Sequence, residues 1–317
     1  MQLTQPIVFE PLFMERVWGG RRLETLFGKR LPPSTRIGEA WEIVDREEAQ
    51  SVVHAGPLRG AILNDLWRGE HREQIFGRDL PQTPRFPLLF KLLDAQDRLS
   101  VQVHPPQQVA ANLGGEAKTE MWYILEALLE SNLYAGLKQG VTRNDFEEAL
   151  HDGRVAEMIH HFPIKVGDAI FIPSGRIHAI GTGNVIFEVQ QNSDTTYRVF
   201  DWNRLGLNGQ ARPLHVDESL QSIDFADVEP ELVHPEGELL VQCSDFRVER
   251  WQLDQPRTSA GDHCSIFCVA QGRVECAGLE FGKGAFFLLP ASFPTAELRP
   301  LDSGTLLLRT TIPPIQN

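Results

Sequence analysis

The sequence predicts an all-β protein that carries a few short helices. Apolar and polar residues alternate in many short runs, such as EAWEIV, LSVQVH, MWYIL and NVIFEVQQ, and a period of two is typical of strands. Turn-forming residues separate the runs, with 26 glycines and 21 prolines among 317 residues. Strands that follow one another this closely favour a sandwich or barrel over alternating strands and helices.

Helical periodicity occurs in three segments, residues 62–77, 105–115 and 142–162. In the third segment, Thr142 precedes Asp145 by three residues, and this spacing lets the two side chains cap the first turn. We expect all three helices to be additions to a body of strands. We expect His151, His160 and His161 to lie in or beside the third helix, on a solvated face.

A weak internal repeat indicates the type of β architecture. KVGDAIFIPSGRIHAI, from residue 165, aligns with GKGAFFLLPASFPTAEL, from residue 282. Both copies contain a glycine, an apolar strand, a proline and a turn, and the alignment places Gly167 on Gly284, Pro173 on Pro290 and His178 on Thr295. This order is typical of the later strands of a cupin-type double-stranded β-helix, a jelly-roll barrel. We expect two such barrels, the second degenerate because it has lost its ligand position.

Proline and acidic residues interrupt the strand pattern over residues 225–238. The sequence therefore predicts a catalytic domain with short helical insertions over residues 1–230 and a small β domain over residues 231–317. His263 falls in the second domain, and an isolated histidine of this kind is expected to be structural.

The composition disfavours several classes of function. The formal net charge is −13, without a cluster of basic residues that could follow a phosphate backbone, so no nucleic-acid partner is expected. There is no signal-like N-terminal segment and no apolar run long enough to span a membrane. The four cysteines form no CxxC pair. We expect a cytoplasmic protein with reduced thiols and no membrane partner.

Four polar residues of the first barrel have side chains that can bind a divalent metal. Gln102 and His104 are two positions apart on a predicted strand, so their side chains share one face. Glu120 follows on what we expect to be a neighbouring strand, and His178 ends the PSGRIH turn. Nitrogen and oxygen ligands without thiolates suit zinc, manganese, iron or cobalt. A site with few protein ligands keeps a position open for water or substrate, as catalytic metal sites do.

The sequence resembles the type I mannose-6-phosphate isomerases, or phosphomannose isomerases, in their short bacterial form. The resemblance rests on FEPLFMERVWGG, GEAWEI, FPLLFKLLDAQDRLSVQVHPP, KTEMWYIL, IPSGRIHAIGTG and EVQQNSDTTYRVFDWNR, which occur in the family's order. The part of the chain after these motifs fits the family's second, degenerate cupin. The resemblance implies a zinc-dependent aldose–ketose isomerase with one metal ion per chain. Its substrate would be a sugar phosphate, interconverted between mannose 6-phosphate and fructose 6-phosphate through a cis-enediol.

The resemblance also implies roles for individual residues. The metal ligands would be Gln102, His104, Glu120 and His178, and Gln102 is the ligand that short members of the family can lack. Lys118 would lie beside the substrate, and Arg198 would be the catalytic arginine. Lys91 and Ser100 occupy the positions of the family's phosphate contacts.

Isomerisation needs a group that moves a proton between C1 and C2, and two residues remain candidates for it. Lys118 and Glu188 are both expected inside the barrel, because alternation places Phe187 and Val189 on the opposite face from Glu188. Burial would move the pKa of either group toward neutrality, as base catalysis requires. An arginine does not lose its proton at a useful pH, so Arg198 would instead stabilise the developing oxyanion.

Two other functions fit a metal-binding cupin. A cupin oxygenase would use iron and dioxygen, and a non-catalytic sensor would bind metal and sugar without turnover. An oxygenase would give Lys91 and Ser100 no task. A sensor would leave Lys118, Glu188 and Arg198 without a common task. The oligomeric state is expected to be monomer or homodimer, because an exposed edge strand of either barrel could pair with a second copy.

Overall fold

The computed structural model describes residues 3–293 and 295–315, and most of their regular structure is β-sheet. The strands of the N-terminal part are β1 Leu12–Gly20, β2 Ile37–Ile43, β3 Asp45–Arg46, β4 Ala49–Gln50, β5 Leu88–Ala95, β6 Val101–Val103, β7 Glu120–Ala127, β8 Asn132–Leu137, β9 Ile159–Pro163, β10 Ala169–Ile172, β11 His178–Ile180, β12 Asn184–Gln191 and β13 Tyr197–Phe200. Those of the C-terminal part are β14 Leu239–Gln242, β15 Arg247–Leu253, β16 Arg257–Ser259, β17 Ser265–Gln271, β18 Val274–Cys276, β19 Leu279–Phe281, β20 Phe286–Leu289, β21 Ala296–Pro300 and β22 Thr305–Thr311.

The helices are short. They are α1 Arg22–Phe27, α2 Leu63–Arg68, α3 Arg72–Phe76, α4 Gln107–Ala110, α5 Arg143–His151 and α6 Val216–Ser222, with 3₁₀ turns at Ala111–Leu113 and Val155–Met158. Among the residues described, no helix has the length and apolar character needed to cross a membrane. The predicted fold class, mainly β with few short helices, is confirmed.

The first β unit consists of two sheets. A six-stranded sheet has the order β1-β2-β5-β12-β7-β10, and a five-stranded sheet has the order β13-β6-β11-β8-β9. Strands that lie far apart in sequence, such as β5 and β12, are neighbours in the six-stranded sheet and pair antiparallel. Side chains from both sheets line one cavity of about 540 Å³.

The second β unit, formed by β14–β22, has sheets of order β14-β15-β22-β17-β20 and β16-β21-β18-β19. Aromatic rings fill its interior, where Phe267 stacks on Phe287 with ring centroids 5.2 Å apart and Phe281 stacks on the other face at 4.2 Å. Thr295, at the position aligned with His178, is exposed. The interior is thus an apolar core, as expected for a degenerate barrel.

An apolar core also joins the two units. Phe187 on β12 stacks against Phe286 on β20 with ring centroids 5.8 Å apart, and Phe90 on β5 lies beside both. These rings point away from the cavity, because neighbouring residues of a strand face opposite sides of the sheet. His263 contacts the first unit, where its Nε2 lies 2.7 Å from the carbonyl oxygen of Arg78. The division of the chain at residues 230 and 231 stays a prediction.

The helix expected over residues 142–162 is too long. Its start is confirmed, since Thr142 and Asp145 form the capping box at the N-terminus of α5. The helix ends at His151, because Asp152 caps it and Gly153 follows with a φ of +70°, a conformation that favours glycine. Residues 159–163 are strand β9, which pairs with β8. His160 and His161 therefore lie on a strand.

The other two predicted helices are also only partly helical. Residues 62–77 form the two helices α2 and α3, which are separated at Gly69. Within residues 105–115, helical structure is limited to Gln107–Ala110 and the 3₁₀ turn that follows it.

Candidate active site

His104, Glu120 and His178 form a compact buried cluster. Their ligand atoms all lie within 4.8 Å of one another, and within the described part of the chain no other group of three or more such residues is close enough to hold a metal. Nε2 of His104 lies 3.5 Å from one carboxylate oxygen of Glu120, and Nε2 of His178 lies 3.5 Å from the other. Both imidazoles thus present the same nitrogen to one carboxylate.

Backbone carbonyl groups fix the orientation of both rings. Nδ1 of His104 donates to the carbonyl oxygen of Thr195 at 2.8 Å, and Nδ1 of His178 donates to that of Arg176 at 2.9 Å. Burial, helped by the nearby Lys118 ammonium group, lowers the pKa of His104 to about 3, and burial also lowers the pKa of His178. Two neutral rings whose Nε2 is unprotonated are what a metal site requires of its histidines.

Both carboxylate oxygens of Glu120 are buried without a hydrogen bond of good geometry. Burial alone would raise the pKa of Glu120, but the neighbouring Lys118 ammonium group opposes burial, and the pKa is held well below its usual range. Burying an ionised carboxylate without hydrogen bonds is costly unless a cation binds it. Nζ of Lys118 lies 2.8 Å from Oε2 and 3.2 Å from Nε2 of His104, so one cation is already close.

The expectation that burial moves the pKa of Lys118 toward neutrality is wrong. Burial does lower it, but the carboxylates of Glu120 and Glu188 outweigh burial and raise the pKa of Lys118 above its ordinary value. For Glu188 the expected direction is confirmed, since burial raises its pKa against the opposing effect of Lys91.

Gln102 lies on β6, which is between β13 and β11 in the five-stranded sheet. Its cross-strand neighbours are His178 on β11 and Arg198 on β13. Its Nε2 lies 3.2 Å from Nε2 of His178, and its Oε1 accepts a hydrogen bond of 3.2 Å from Ser100. The expectation that Glu120 lies on a neighbouring strand is wrong, because β7 belongs to the opposite sheet. The cluster therefore bridges the two sheets.

Lys91 and Glu188 are direct cross-strand partners on the six-stranded sheet. Nζ of Lys91 lies 3.1 Å from Oε1 of Glu188, and both side chains are almost fully buried. The indole nitrogen of Trp122 donates to the other oxygen of Glu188 at 2.8 Å. Nζ of Lys91 also lies 5.3 Å from the centroid of the Trp41 ring. Pairing with Glu188 explains how this lysine is tolerated in the run FPLLFKLL.

Six of the nine predicted site residues line the cavity, namely Lys91, Ser100, Gln102, Lys118, Glu188 and Arg198. The three residues of the buried cluster lie behind Gln102 and Lys118, each of which contacts both the cluster and the cavity. One nitrogen of Arg198, Nη1, donates to the carbonyl oxygen of Pro213 at 3.0 Å, whereas its Nε has no hydrogen-bond partner. Arg198 thus keeps donor capacity in the cavity.

Sequence reasoning missed several charged residues of the cavity wall. Arg16 on β1 binds Glu39 on β2 through two hydrogen bonds of 3.0 Å, and both side chains line the cavity. Arg212 also lines it and is held by Asp201 at 2.6 and 2.7 Å. Arg16 and Glu39 lie within the family motifs, but their pairing depends on β1 lying beside β2. The RLGLNGQAR segment that ends in Arg212 carries no pattern that predicts a cavity.

Comparisons of the sequence with known proteins identify the family of this chain. The family model described as the catalytic domain of type I phosphomannose isomerase matches residues 8–136. A Bacillus subtilis protein named as a probable mannose-6-phosphate isomerase is 35% identical over 305 residues, covering 92% of this chain and 95% of its own length. A second B. subtilis protein, named mannose-6-phosphate isomerase, is 39% identical over 259 residues, covering 79% of this chain and 80% of its own length.

A solved structure is similar to this chain over nearly its full length. The crystal structure of a mannose 6-phosphate isomerase from Bacillus subtilis has a TM-score of 0.85 at 31% identity, and the match covers 97% of this chain and 99% of that one. The likeness therefore includes the C-terminal β unit as well as the cavity.

Proposed function

Because this chain belongs to the type I phosphomannose isomerase family, we propose that it interconverts D-mannose 6-phosphate and D-fructose 6-phosphate. The observation that carries the proposal is the His104, Glu120 and His178 cluster, which lies at the wall of a cavity that also contains lysine and arginine side chains. Such an enzyme is an aldose–ketose isomerase and needs no hydride cofactor.

The donor set of the cluster fits a divalent metal, and we propose Zn²⁺, one ion per chain. Two neutral imidazoles and a carboxylate form a typical catalytic zinc site. The Gln102 amide lies at the edge of this site with its nitrogen toward His178 and its Oε1 toward Ser100. We propose Gln102 as a fourth ligand in the flipped orientation of this amide, which turns the ligating oxygen toward the ion. When bound, such an ion supplies Lewis-acid stabilisation of the substrate oxygens as negative charge develops on them.

The reaction moves a proton from C2 of the aldose to C1 of the ketose through a cis-enediol, while the hydroxyl proton moves from O2 to O1. We propose Lys118 and Glu188 as candidates for the carbon-bound proton. Glu188 is the candidate whose pKa burial raises toward neutrality, which suits a general base. Lys118, which the neighbouring carboxylates keep charged, suits the stabilisation of negative charge.

The remaining cavity residues bind and orient the substrate in this proposal. Arg198 donates to the developing enediolate oxygen, because its guanidinium group stays charged and keeps an unused nitrogen. Lys91 and Ser100 bind the phosphate group, which needs fixed donors. Since a sugar phosphate does not cross a bilayer unaided, we also propose a cytoplasmic location. A monomer or homodimer remains our prediction for the oligomeric state.

A coupled assay with purified protein tests the function. Conversion of mannose 6-phosphate to fructose 6-phosphate, without uptake of dioxygen, is the expected result. Oxygen uptake with iron supplied would instead indicate a cupin oxygenase. Metal and sugar-phosphate binding without turnover, with zinc supplied, would indicate a non-catalytic sensor.

A further inference from the structure

We propose that Glu39 and Trp41 are positioning residues that fix the ammonium group of Lys91 at the cavity wall and thereby set the affinity for the substrate's phosphate group. This inference rests on the proposed function, which assigns the phosphate to Lys91. It concerns β2 and β5, adjacent strands on which Trp41 and Lys91 are direct cross-strand partners.

The Glu39 carboxylate is held by three hydrogen bonds. Arg16 donates from Nε and from Nη2, both at 3.0 Å, and the indole nitrogen of Trp41 donates to Oε2 at 2.7 Å. This geometry fixes the plane of the carboxylate and, through it, the plane of the indole ring. The Glu39 side chain is only 12% exposed, so water competes little for these bonds.

The fixed indole ring in turn contacts Lys91. Nζ of Lys91 lies 5.3 Å from the Trp41 ring centroid on one side and 3.1 Å from Oε1 of Glu188 on the other. Trp122 holds Glu188 through the same kind of indole hydrogen bond that holds Glu39. Two indole–carboxylate pairs thus flank one ammonium group, and a flexible four-carbon side chain is confined to one position.

The ionisation state of Glu39 favours a positioning role and argues against a role in proton transfer. Burial would raise the pKa of Glu39, but Arg16, Lys91 and the Trp41 hydrogen bond outweigh burial and lower it to about 2. A carboxylate with so low a pKa accepts protons poorly at neutral pH. Its fixed charge instead contributes to the field around Lys91, whose cross-strand partner Trp41 is two residues from Glu39 on the same face of β2.

The first experiment compares Glu39→Gln and Trp41→Phe with the wild-type enzyme. Glu39→Gln removes the charge and one strong acceptor, whereas Trp41→Phe keeps an aromatic ring and removes the indole donor. We expect each to raise KM for mannose 6-phosphate, by about tenfold for Glu39→Gln, with kcat changed less than about threefold. A fall in kcat at unchanged KM in both variants would overturn the proposal.

Glu249→Gln is the matched control. Like Glu39, Glu249 is held by donors from two side chains, here Arg247 and Arg309, each at 2.8 Å, and its side chain is 13% exposed. Glu249 lies in the second β unit, away from the cavity. The control should lose comparable thermal stability and keep the wild-type KM. A similar rise in KM in the control would show that the effect is a general consequence of lost stability and would overturn the proposal.

A double-mutant cycle with Lys91→Met separates action through Lys91 from direct contact with substrate. If Glu39 acts through Lys91, adding Glu39→Gln to Lys91→Met changes KM by less than about twofold. If the double variant instead raises KM by the product of the two single-variant factors, Glu39 acts independently of Lys91 and the proposal is overturned. Calorimetric binding of mannose 6-phosphate gives the same cycle without turnover. A wild-type protein that binds the sugar phosphate but does not isomerise it contradicts the proposed function, while the binding cycle still decides the positioning inference.

Discussion

His104 and His178 lie beside each other with their ring centroids 4.8 Å apart, and each turns Nε2 toward a different oxygen of Glu120 while donating Nδ1–H to a backbone carbonyl group. The tautomer of both rings is therefore set by the fold. The Nε2 lone pairs of both rings and the Glu120 carboxylate therefore converge, as the ligands of a single metal ion must.

His178→Ala should abolish stoichiometric metal binding, because it removes one of three converging ligands. Metal analysis of the purified variant checks this. His151→Ala is the matched control, since His151 is 90% exposed on the surface and should leave metal content unchanged. Full metal occupancy in His178→Ala would show that the ligands lie elsewhere.

Arg198→Ala should lower kcat by about 100-fold or more, because removal of one group that stabilises an oxyanion typically costs this much. Its metal content should stay at the wild-type level, since the side-chain hydrogen bond of Arg198 goes to Pro213 and not to the His104, Glu120 and His178 side chains. Arg257→Ala, at an exposed ion pair of the second unit, serves as the control. Unchanged turnover in Arg198→Ala would refute the assignment of this arginine.

Glu39 should make stability depend on pH in the acid range. Its pKa is about 2 in the folded protein, against 4.5 for an ordinary glutamate, so its stabilisation is fully present above pH 4.5 and is lost as the pH falls through 2. The free energy of unfolding of the wild-type protein should exceed that of Glu39→Gln by ~3 kcal/mol at most near pH 6. Denaturant titrations from pH 6 to 2.5 should show this difference shrinking, and a constant difference would contradict the low pKa.

Gly284→Ala should destabilise the protein where the second unit meets α1. The residue has a φ of +78°, and an added Cβ would lie 2.5 Å from Cγ of Phe27. We expect a loss of about 2 kcal/mol, because both strain and overpacking act there. Gly282→Ala is the control two residues earlier, where the nearest atom to the added Cβ would be 4.0 Å away. Equal melting temperatures for the two variants would contradict this packing.

Much of the site could be predicted from local sequence patterns. The i, i+2 spacing of Gln102 and His104, the carboxylate of Glu120 and the PSGRIH turn before His178 each place one side chain on a known face of a strand. The internal repeat that aligns Gly167 with Gly284 could be recognised because each glycine precedes a strand, β10 after Gly167 and β20 after Gly284.

The other features depend on which strands become neighbours. The link from Arg16 through Glu39 and Trp41 to Lys91 requires β1, β2 and β5 to be adjacent, although α2, α3 and two short strands separate β2 from β5 in sequence. Alternation gives the face of a residue but not its cross-strand partner. For the same reason the sequence placed Glu120 beside β6, whereas the fold brings it across from the opposite sheet.

The central claim is that a metal held by His104, Glu120 and His178 supports isomerisation, and chelation tests it most directly. Metal content and the conversion of mannose 6-phosphate should be measured on the same sample before chelation, after chelation and after one equivalent of Zn²⁺ is restored. We predict about one ion per chain at the start, loss of activity with the metal, and recovery on addition of Zn²⁺. Full activity in protein verified to be free of metal would contradict the account.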